Sequence, residues 1–142
     1  MIFQSFISFD SEDISFELEN AESMQKWIKK TIVNESKTLG EISYIFCSDE
    51  YLNKINIEHL DHDTYTDIIT FNYCEGDLIN SDIFISIDRI KENAISFKNS
   101  FEDELSRVII HGILHLVGYD DKTDDEKVVM RSKEDFYLTL RQ

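Results

Sequence analysis

Two histidines and one aspartate near the C-terminal end are side chains of the kind that a catalytic zinc site uses. His111 and His115 lie four residues apart in an apolar run without proline, which predicts a buried helix with both imidazoles on one face. Gly118 follows this run, where a helix commonly ends in a left-handed conformation. Asp121 then supplies a carboxylate. The spacing predicts a metal site held by His111, His115 and Asp121, with a fourth position for water.

The histidine pair by itself does not require a metal. Histidine pairs at helical spacing are more often solvated or hydrogen-bonded in a core than bound to metal. An unpaired polar group in an apolar helix is costly, however, and the glycine and carboxylate that follow favour a metal. Asp82 could orient one of the histidines, or it could only end a turn. Two histidines and a carboxylate also occur in non-haem iron oxygenases, so we expect one Zn²⁺ per chain and leave another divalent metal open.

Composition limits the class of protein. The chain has 142 residues, 42% of them hydrophobic, and no proline, so we expect one domain over residues 1–142. Residues 1–6 lack a basic start before a long apolar segment, and no apolar run is long enough to cross a bilayer. We therefore expect a cytoplasmic protein without a membrane partner. Cys47 and Cys74 form no C-x-x-C pattern, which predicts reduced thiols.

The formal net charge of −15 opposes binding to nucleic acid. Affinity for nucleic acid is largely electrostatic, and an acidic protein repels phosphate at long range. A nucleic-acid substrate would therefore need local attraction. A bound divalent metal together with Lys54, Arg89 or Arg107 could provide it, or a protein partner could supply the docking.

The remaining pattern indicates the elements that position the ligands. We predict an α+β fold in which a small mixed β-sheet is packed with helices, with the metal site on a central buried helix and the loop after it. Residues 6–9 and 14–18 are predicted to form one or two strands, and further strands are predicted at residues 42–47, 68–73 and 83–87. Gly40 is predicted in a turn, and Asp88 as the cap of a helix. Thr66 and Asp67 are predicted to fix the turn before the fourth strand.

Two helices are predicted at the C-terminal end. The ligand helix should begin near Phe101 or Glu102, with acidic residues in its first turn. After the metal loop, residues 123–126 fit a capping box, which starts the last helix. In that helix we predict that Val129, Phe136 and Leu140 are buried and that Lys127, Arg131 and Glu134 are exposed.

At the histidines the chain resembles a known family. Residues 111–120 are similar to H-G-x-L-H-L-x-G-Y-D, the signature of the YbeY family of bacterial metal-dependent endoribonucleases. Residues 63–71 are similar to its block D-x-x-T-[D/N]-x-L-[ST]-F, and residues 81–86 to its G-D-I-x-I-S. The resemblance covers residues 42–140, approximately. The histidine spacing also resembles metzincin proteases, but Gly112 stands where those carry a glutamate.

The resemblance implies a zinc-dependent, single-strand-specific endoribonuclease. It implies action in ribosomal RNA maturation, at the 3′ end of the small-subunit rRNA, and in ribosome quality control. It also implies ribosomal proteins or a ribosome-associated GTPase as partners, and no DNA. Two alternatives are a non-catalytic ribosome-associated module with a structural metal and a metalloprotease, whose missing glutamate would normally contribute about 10²–10⁴-fold in rate.

Two positions depart from the family pattern. The family usually has a third histidine at Asp121, which is a mild change because carboxylate is an ordinary zinc ligand. It usually has an arginine at Leu60, whose guanidinium would suit phosphate binding. The sequence offers no certain general base, and His62 and Asp120 are the candidate catalytic residues.

Overall fold

The computed structural model describes residues 5–60 and 66–141, except for the side chain of Leu60. Its strands and helices alternate over the first half of the chain, and three consecutive helices end it. In order they are β1 (Phe6–Ser11), α1 (Ala21–Asn34), β2 (Thr38–Cys47), α2 (Asp49–Leu60), β3 (Ile68–Asn72), β4 (Leu78–Ser86), α3 (Ile87–Phe97), α4 (Phe101–Leu116) and α5 (Asp124–Thr139).

The described strands form one mixed sheet in the order β1-β2-β4-β3. β1, β2 and β4 are parallel, because helices cross over between them. β3 runs antiparallel to β4, since a short turn containing Gly76 at a φ of +57° joins the two strands. The predicted α+β class with a small mixed sheet is confirmed.

α4 is the most buried helix, and it packs against the sheet. Ile109, Ile110 and Ile113 are fully buried in the main core. Before them, the Ser100 hydroxyl accepts a hydrogen bond from the backbone N–H of Asp103 and caps the helix. The ligand helix therefore begins at Phe101, as predicted from the acidic residues of its first turn. Its apolar face packs on the sheet and fixes the position of the helix.

In the N-terminal half, the structure has one strand where one or two were predicted, and it contradicts the prediction for Gly40. Residues 14–18 form no strand, and Phe16 instead packs its ring edge against Phe46, with 5.0 Å between centroids. Gly40 lies inside β2, where the register with β4 shifts, and not in a turn. A Cβ at Gly40 would lie 2.8 Å from the Ile79 carbonyl oxygen, so the close strand approach at this irregularity requires glycine.

The predicted cap of α3 was also wrong. The Ser86 hydroxyl, not Asp88, accepts a hydrogen bond from the backbone N–H of Arg89. Asp88 instead accepts from the backbone N–H of Asp49, at the start of α2. A carboxylate two residues inside α3 therefore helps to begin a different helix.

The buried face of α5 lies about one position from the predicted one. Val129 and Phe136 are 47% and 49% exposed. The buried residues are Met130, Glu134 and Tyr137. Glu134, which was predicted to be exposed, is buried although an unpaired charge is costly to bury. Pairing with a guanidinium and an imidazole removes that cost. The capping box between Thr123 and Glu126 is confirmed.

Both cysteines are free thiols, as the spacing predicts. Cys47 is buried, and burial, with nearby carboxylates, raises the pKa of its thiol to about 12. A thiol that stays protonated is a poor nucleophile, so Cys47 serves as a core residue. Within residues 5–60 and 66–141, no helix combines the length and apolar composition needed to span a bilayer.

Candidate metal centre

The end of α4 and the loop after it bring three potential ligands together. His111 and His115 lie one turn apart on the same face of α4. Gly118 has a φ of +120°, a conformation that residues with a side chain rarely adopt. The chain reverses there, and the backbone N–H of Tyr119 donates to the carbonyl of Leu114, 2.9 Å away. This turn returns Asp121 to the histidine face.

The three side chains converge on one point. The Nε2 atoms of His111 and His115 are 3.1 Å apart. Oδ2 of Asp121 lies 3.3 Å from Nε2 of His111, and Oδ1 lies 3.5 Å from Nε2 of His115. Ligands at about 2.0–2.1 Å from a tetrahedral zinc ion lie about 3.4 Å from one another. Both the ligand types and their spacing therefore fit an ion of this size.

The electrostatics of the triad also favour a cation. The Glu134 carboxylate accepts a hydrogen bond from Nδ1–H of His111, which leaves a lone pair on Nε2 of the same ring. That lone pair and the Asp121 carboxylate face each other, and they repel unless positive charge lies between them. Burial disfavours the imidazolium form, but the Glu134 hydrogen bond and the charges of Glu134 and Asp121 outweigh it and raise the pKa of His111. The site thus attracts either a proton or a metal ion.

Glu134 is the site residue that sequence reasoning missed. It is 5% exposed, and its Oε2 lies 2.7 Å from Nδ1 of His111. Its other oxygen accepts from Nη1 of Arg107 at 2.8 Å, and Nη2 of Arg107 donates to Asp135 at 2.7 Å. A carboxylate behind a ligating histidine fixes the ring and its tautomer. The signal available in the sequence was that Glu134 lies between Met130 and Tyr137 on the helical stripe.

Asp82 does not take this role. It lies within β4, opposite Phe71 of β3, and it neither orients His111 or His115 nor ends a turn. Its carboxylate hydrogen-bonds the hydroxyl of Tyr73.

The triad opens into a cleft of about 620 Å³ between α4, α2 and β3. Its described lining consists of Asn56, Thr66, Asp67, Ile68, Ile69, Thr70, Asn72, His111, His115, Leu116, Asp120 and Asp121. This part of the lining contains three aspartates and neither lysine nor arginine. Any strong attraction of these residues for a phosphate must therefore come from a cation held by the triad.

The cations proposed from the sequence lie elsewhere. Arg107 pairs with two carboxylates behind the histidines. Arg89 pairs with Asp49 at 2.6 Å and with Glu92 at 2.9 Å. Lys54 lies beside a separate cavity between α2 and the sheet. The expectation that these side chains make the cleft positive was wrong.

Two aspartates line the cleft outside the ligand set. Asp120, a candidate catalytic residue, is exposed there. Asp67, predicted to fix a turn, is half-buried, and burial raises the pKa of its carboxyl group. Its carbonyl accepts from the backbone N–H of Ser86, which ties it to β4. His62 lies outside the described residues, and so does the side chain of Leu60.

Gly112 lies where the sequence of a metzincin would carry glutamate. A Cβ at this position would lie 2.9 Å from Cδ1 of Ile68 and 3.5 Å from Oγ1 of Thr70. A side chain at Gly112 would therefore point at β3, and a glutamate there would have to push aside the side chains of Ile68 and Thr70. This packing argues against protease chemistry at the triad.

Comparison with known proteins agrees with the sequence motifs. Residues 6–141 match the family described as Endoribonuclease YbeY. The Endoribonuclease YbeY of Flavobacterium johnsoniae is 54% identical over 134 residues, which cover 94% of this chain and 96% of that protein. The Endoribonuclease YbeY of Bacteroides thetaiotaomicron is 45% identical over 135 residues, which cover 95% and 98%.

The fold has a counterpart among solved structures. The solution structure of TM1509 from Thermotoga maritima matches with a TM-score of 0.64 and 27% sequence identity. The match covers 94% of this chain and 87% of that chain. The resemblance drawn from the three sequence blocks is confirmed.

Proposed function

Because the chain belongs to the YbeY family of endoribonucleases, we propose that it is a zinc-dependent endoribonuclease specific for single-stranded RNA. We propose that residues 1–142 act as one metallohydrolase domain, in maturation of the 3′ end of small-subunit rRNA and in ribosome quality control. The observation that carries the proposal is the convergence of His111, His115 and Asp121 at the wall of an open cleft. Structural zinc sites are closed, whereas catalytic sites keep three protein ligands and an open position.

Each residue of the centre has a distinct task. His111, His115 and Asp121 would hold the ion, and Glu134 keeps Nε2 of His111 directed at it. Such an ion supplies Lewis-acid polarisation of a phosphoryl oxygen and a lower pKa for water. The described lining offers no other strong positive charge to a phosphate. The triad therefore decides both where the scissile phosphate lies and how it is activated.

Asp67 and Asp120 are the described cleft carboxylates that could accept a proton from the attacking water. The raised pKa of Asp67 brings that group closer to the working pH, which favours proton transfer. Asp120 is more exposed and freer to reach the substrate. His62 remains a candidate for the same task.

Because the chain has a net charge of −15, we expect protein partners to bring it to its RNA substrate. An acidic surface slows the approach of RNA over distances up to about a Debye length, roughly 8–10 Å in physiological salt. Ribosomal proteins or a ribosome-associated GTPase would hold the chain beside its substrate. Single-stranded RNA suits the cleft because unpaired nucleotides can be splayed into it.

Cleavage of labelled RNA by the purified chain tests the proposal. A single-stranded oligoribonucleotide should be cut, and a duplex of the same sequence and the matching DNA should not. Removing metal with a chelator should abolish cleavage, and adding zinc should restore it. His111→Ala and Asp121→Ala should be inactive, whereas Asp135→Asn should keep activity because Asp135 contacts only the outer side of Arg107. Cleavage that persists after complete metal removal would contradict the proposal.

The absence of lysine and arginine from the described lining favours one alternative, a non-catalytic ribosome-associated module with a structural metal. In that case the chain would bind zinc and ribosomal components but leave every RNA intact. A bound zinc ion that has no open coordination position for water would support this alternative.

A further inference from the structure

The carboxylate of Glu35 joins three parts of the molecule. Glu35 is the residue at which α1 ends, and its side chain is only 12% exposed. Its Oε1 accepts a hydrogen bond from the hydroxyl of Tyr119 at 2.7 Å, and its Oε2 accepts from the hydroxyl of Tyr137. Tyr119 belongs to the loop after α4, and Tyr137 belongs to α5. One acidic group thus ties α1 to both elements.

Tyr119 is held firmly although it lies in a loop. Its backbone N–H donates to Leu114 of α4, and its hydroxyl donates to Glu35. Nζ of Lys133 lies 5.4 Å from the centroid of its ring, a distance that allows a cation–π contact. The same ammonium lies 3.6 Å from Oε2 of Glu35. These contacts fix the loop two residues before Asp121.

Asp121 needs that support more than the histidines do. The histidines lie on a helix whose apolar face is buried in the core, so their positions are set by packing. Asp121 lies in the loop, its side chain is 39% exposed, and its ion-pair contacts are to the two imidazoles. A ligand on an unsupported loop must be ordered when metal binds, which reduces affinity.

We propose that Glu35 is a positioning residue for the metal centre: through the hydroxyl of Tyr119 it holds the loop in the conformation that places Asp121 beside His111 and His115. The inference rests on the proposed function, because it requires that the triad binds a divalent ion. Glu35 itself does not line the cleft or approach the ligands. Its effect therefore acts on metal affinity through the loop.

The two tyrosines give a matched pair of variants. Tyr119→Phe and Tyr137→Phe each remove one hydroxyl that donates a hydrogen bond to the Glu35 carboxylate. Of the two tyrosines, only Tyr119 belongs to the loop that carries Asp121. We expect Tyr119→Phe to weaken zinc binding about tenfold, the lower end of the range for residues that support metal ligands. Tyr137→Phe should leave zinc affinity within about twofold of the wild type, since it alters only packing between α1 and α5.

Zinc affinity is measured on the purified full-length chain by competition with a chromophoric chelator. The visible spectrum of the Co²⁺-substituted protein reports the ligand geometry, and urea unfolding of the metal-free protein reports stability. Tyr119→Phe should change affinity and the Co²⁺ spectrum. A purely structural role of Glu35 predicts that both variants lower the free energy of unfolding while the affinity and the Co²⁺ spectrum stay unchanged.

The outcomes separate this inference from the proposed function. Wild-type zinc affinity in Tyr119→Phe, or an equal loss in both variants, would overturn the inference and leave the endoribonuclease proposal intact. A wild-type chain that binds no zinc would overturn both. If Tyr119→Phe does not fold, Glu35→Gln replaces it, because the amide keeps the shape of the side chain. Weaker zinc binding by Glu35→Gln then supports the inference, and unchanged binding overturns it.

Discussion

Oε2 of Glu134 and Nδ1 of His111 lie 2.7 Å apart, although 23 residues separate them in the chain. This contact joins α5 to the ligand helix and sets which nitrogen of His111 is available to a metal. Glu134 is itself held by Arg107, so the orientation of the ring depends on a buried chain of charges. The metal centre therefore depends on α5, which supplies Glu134, as well as on α4 and the loop after it.

Replacing Glu134 should weaken metal binding without removing a ligand. For Glu134→Gln we expect zinc affinity to fall about 10–100-fold, because the charge that holds the His111 tautomer is lost. Isothermal titration of the metal-free protein with zinc measures this. Asp135→Asn is the matched control, since Asp135 pairs with the same arginine but does not contact the histidine. Equal affinities in the two variants would contradict the role given to Glu134.

Asp121 should be replaceable by histidine but not by alanine. Asp121→Ala removes one of three ligands, and we expect a loss of zinc affinity of at least about 100-fold, more than a supporting residue usually costs. Asp121→His supplies an imidazole, which is also an ordinary zinc ligand, and should keep most of the affinity. Asp120→Asn should bind zinc as the wild type does. Elemental analysis after purification without added metal, followed by titration, distinguishes the three variants.

The ionisation of Glu35 should make stability depend on pH in the acid range. Burial raises its pKa, but the hydroxyls of Tyr137 and Tyr119 and the charge of Lys133 outweigh burial and hold the pKa below the ordinary value of 4.5. A carboxyl group whose pKa is lowered by folding stabilises the folded state above its unfolded pKa. That contribution is lost as the pH falls from 4.5 through the lower folded-state pKa.

The free energy of unfolding of the wild type should therefore exceed that of Glu35→Gln most near neutral pH, and the difference should shrink below pH 4.5. Urea unfolding of both metal-free proteins at a series of pH values measures the difference. A difference that stays constant through the acid range would show that folding does not lower the pKa of Glu35.

Two glycines should respond differently to alanine. At Gly40 the added Cβ would meet the Ile79 carbonyl oxygen at 2.8 Å, and backbone cannot move aside easily, so we expect a loss of about 1–3 kcal/mol. At Gly112 the nearest atom is the flexible end of Ile68, and alanine gains about 1 kcal/mol of helix propensity. Gly112→Ala should stay within about 1 kcal/mol of the wild type. Denaturant unfolding of both variants provides the comparison.

The features that could be predicted from the sequence are those set by residues close together in the chain. The helical spacing of His111 and His115 and the capping box of α5 are properties of a few consecutive residues, and the structure has both. It also brings Asp121 to the histidines, and metal binding by the three residues stays a prediction. The parallel strands follow from the helices between them.

Distant partners explain what could not be predicted. Glu134 is buried because Arg107, 27 residues earlier, compensates its charge. Gly40 lies in a strand because β4 approaches it closely at Ile79, which no local pattern shows. Ser86 caps α3, and the Asp88 carboxylate instead accepts from the backbone N–H of Asp49, 39 residues earlier in the chain.

The absence of lysine and arginine from the described cleft lining has a consequence for how RNA would bind. Each phosphate that a protein neutralises releases condensed counterions, and contributes a slope of about −0.7 to the plot of log affinity against log salt for single strands. A chain that engages RNA mainly through one metal ion should show a shallow plot. Docking on a basic partner would steepen it, so the salt dependence reveals whose cations hold the RNA.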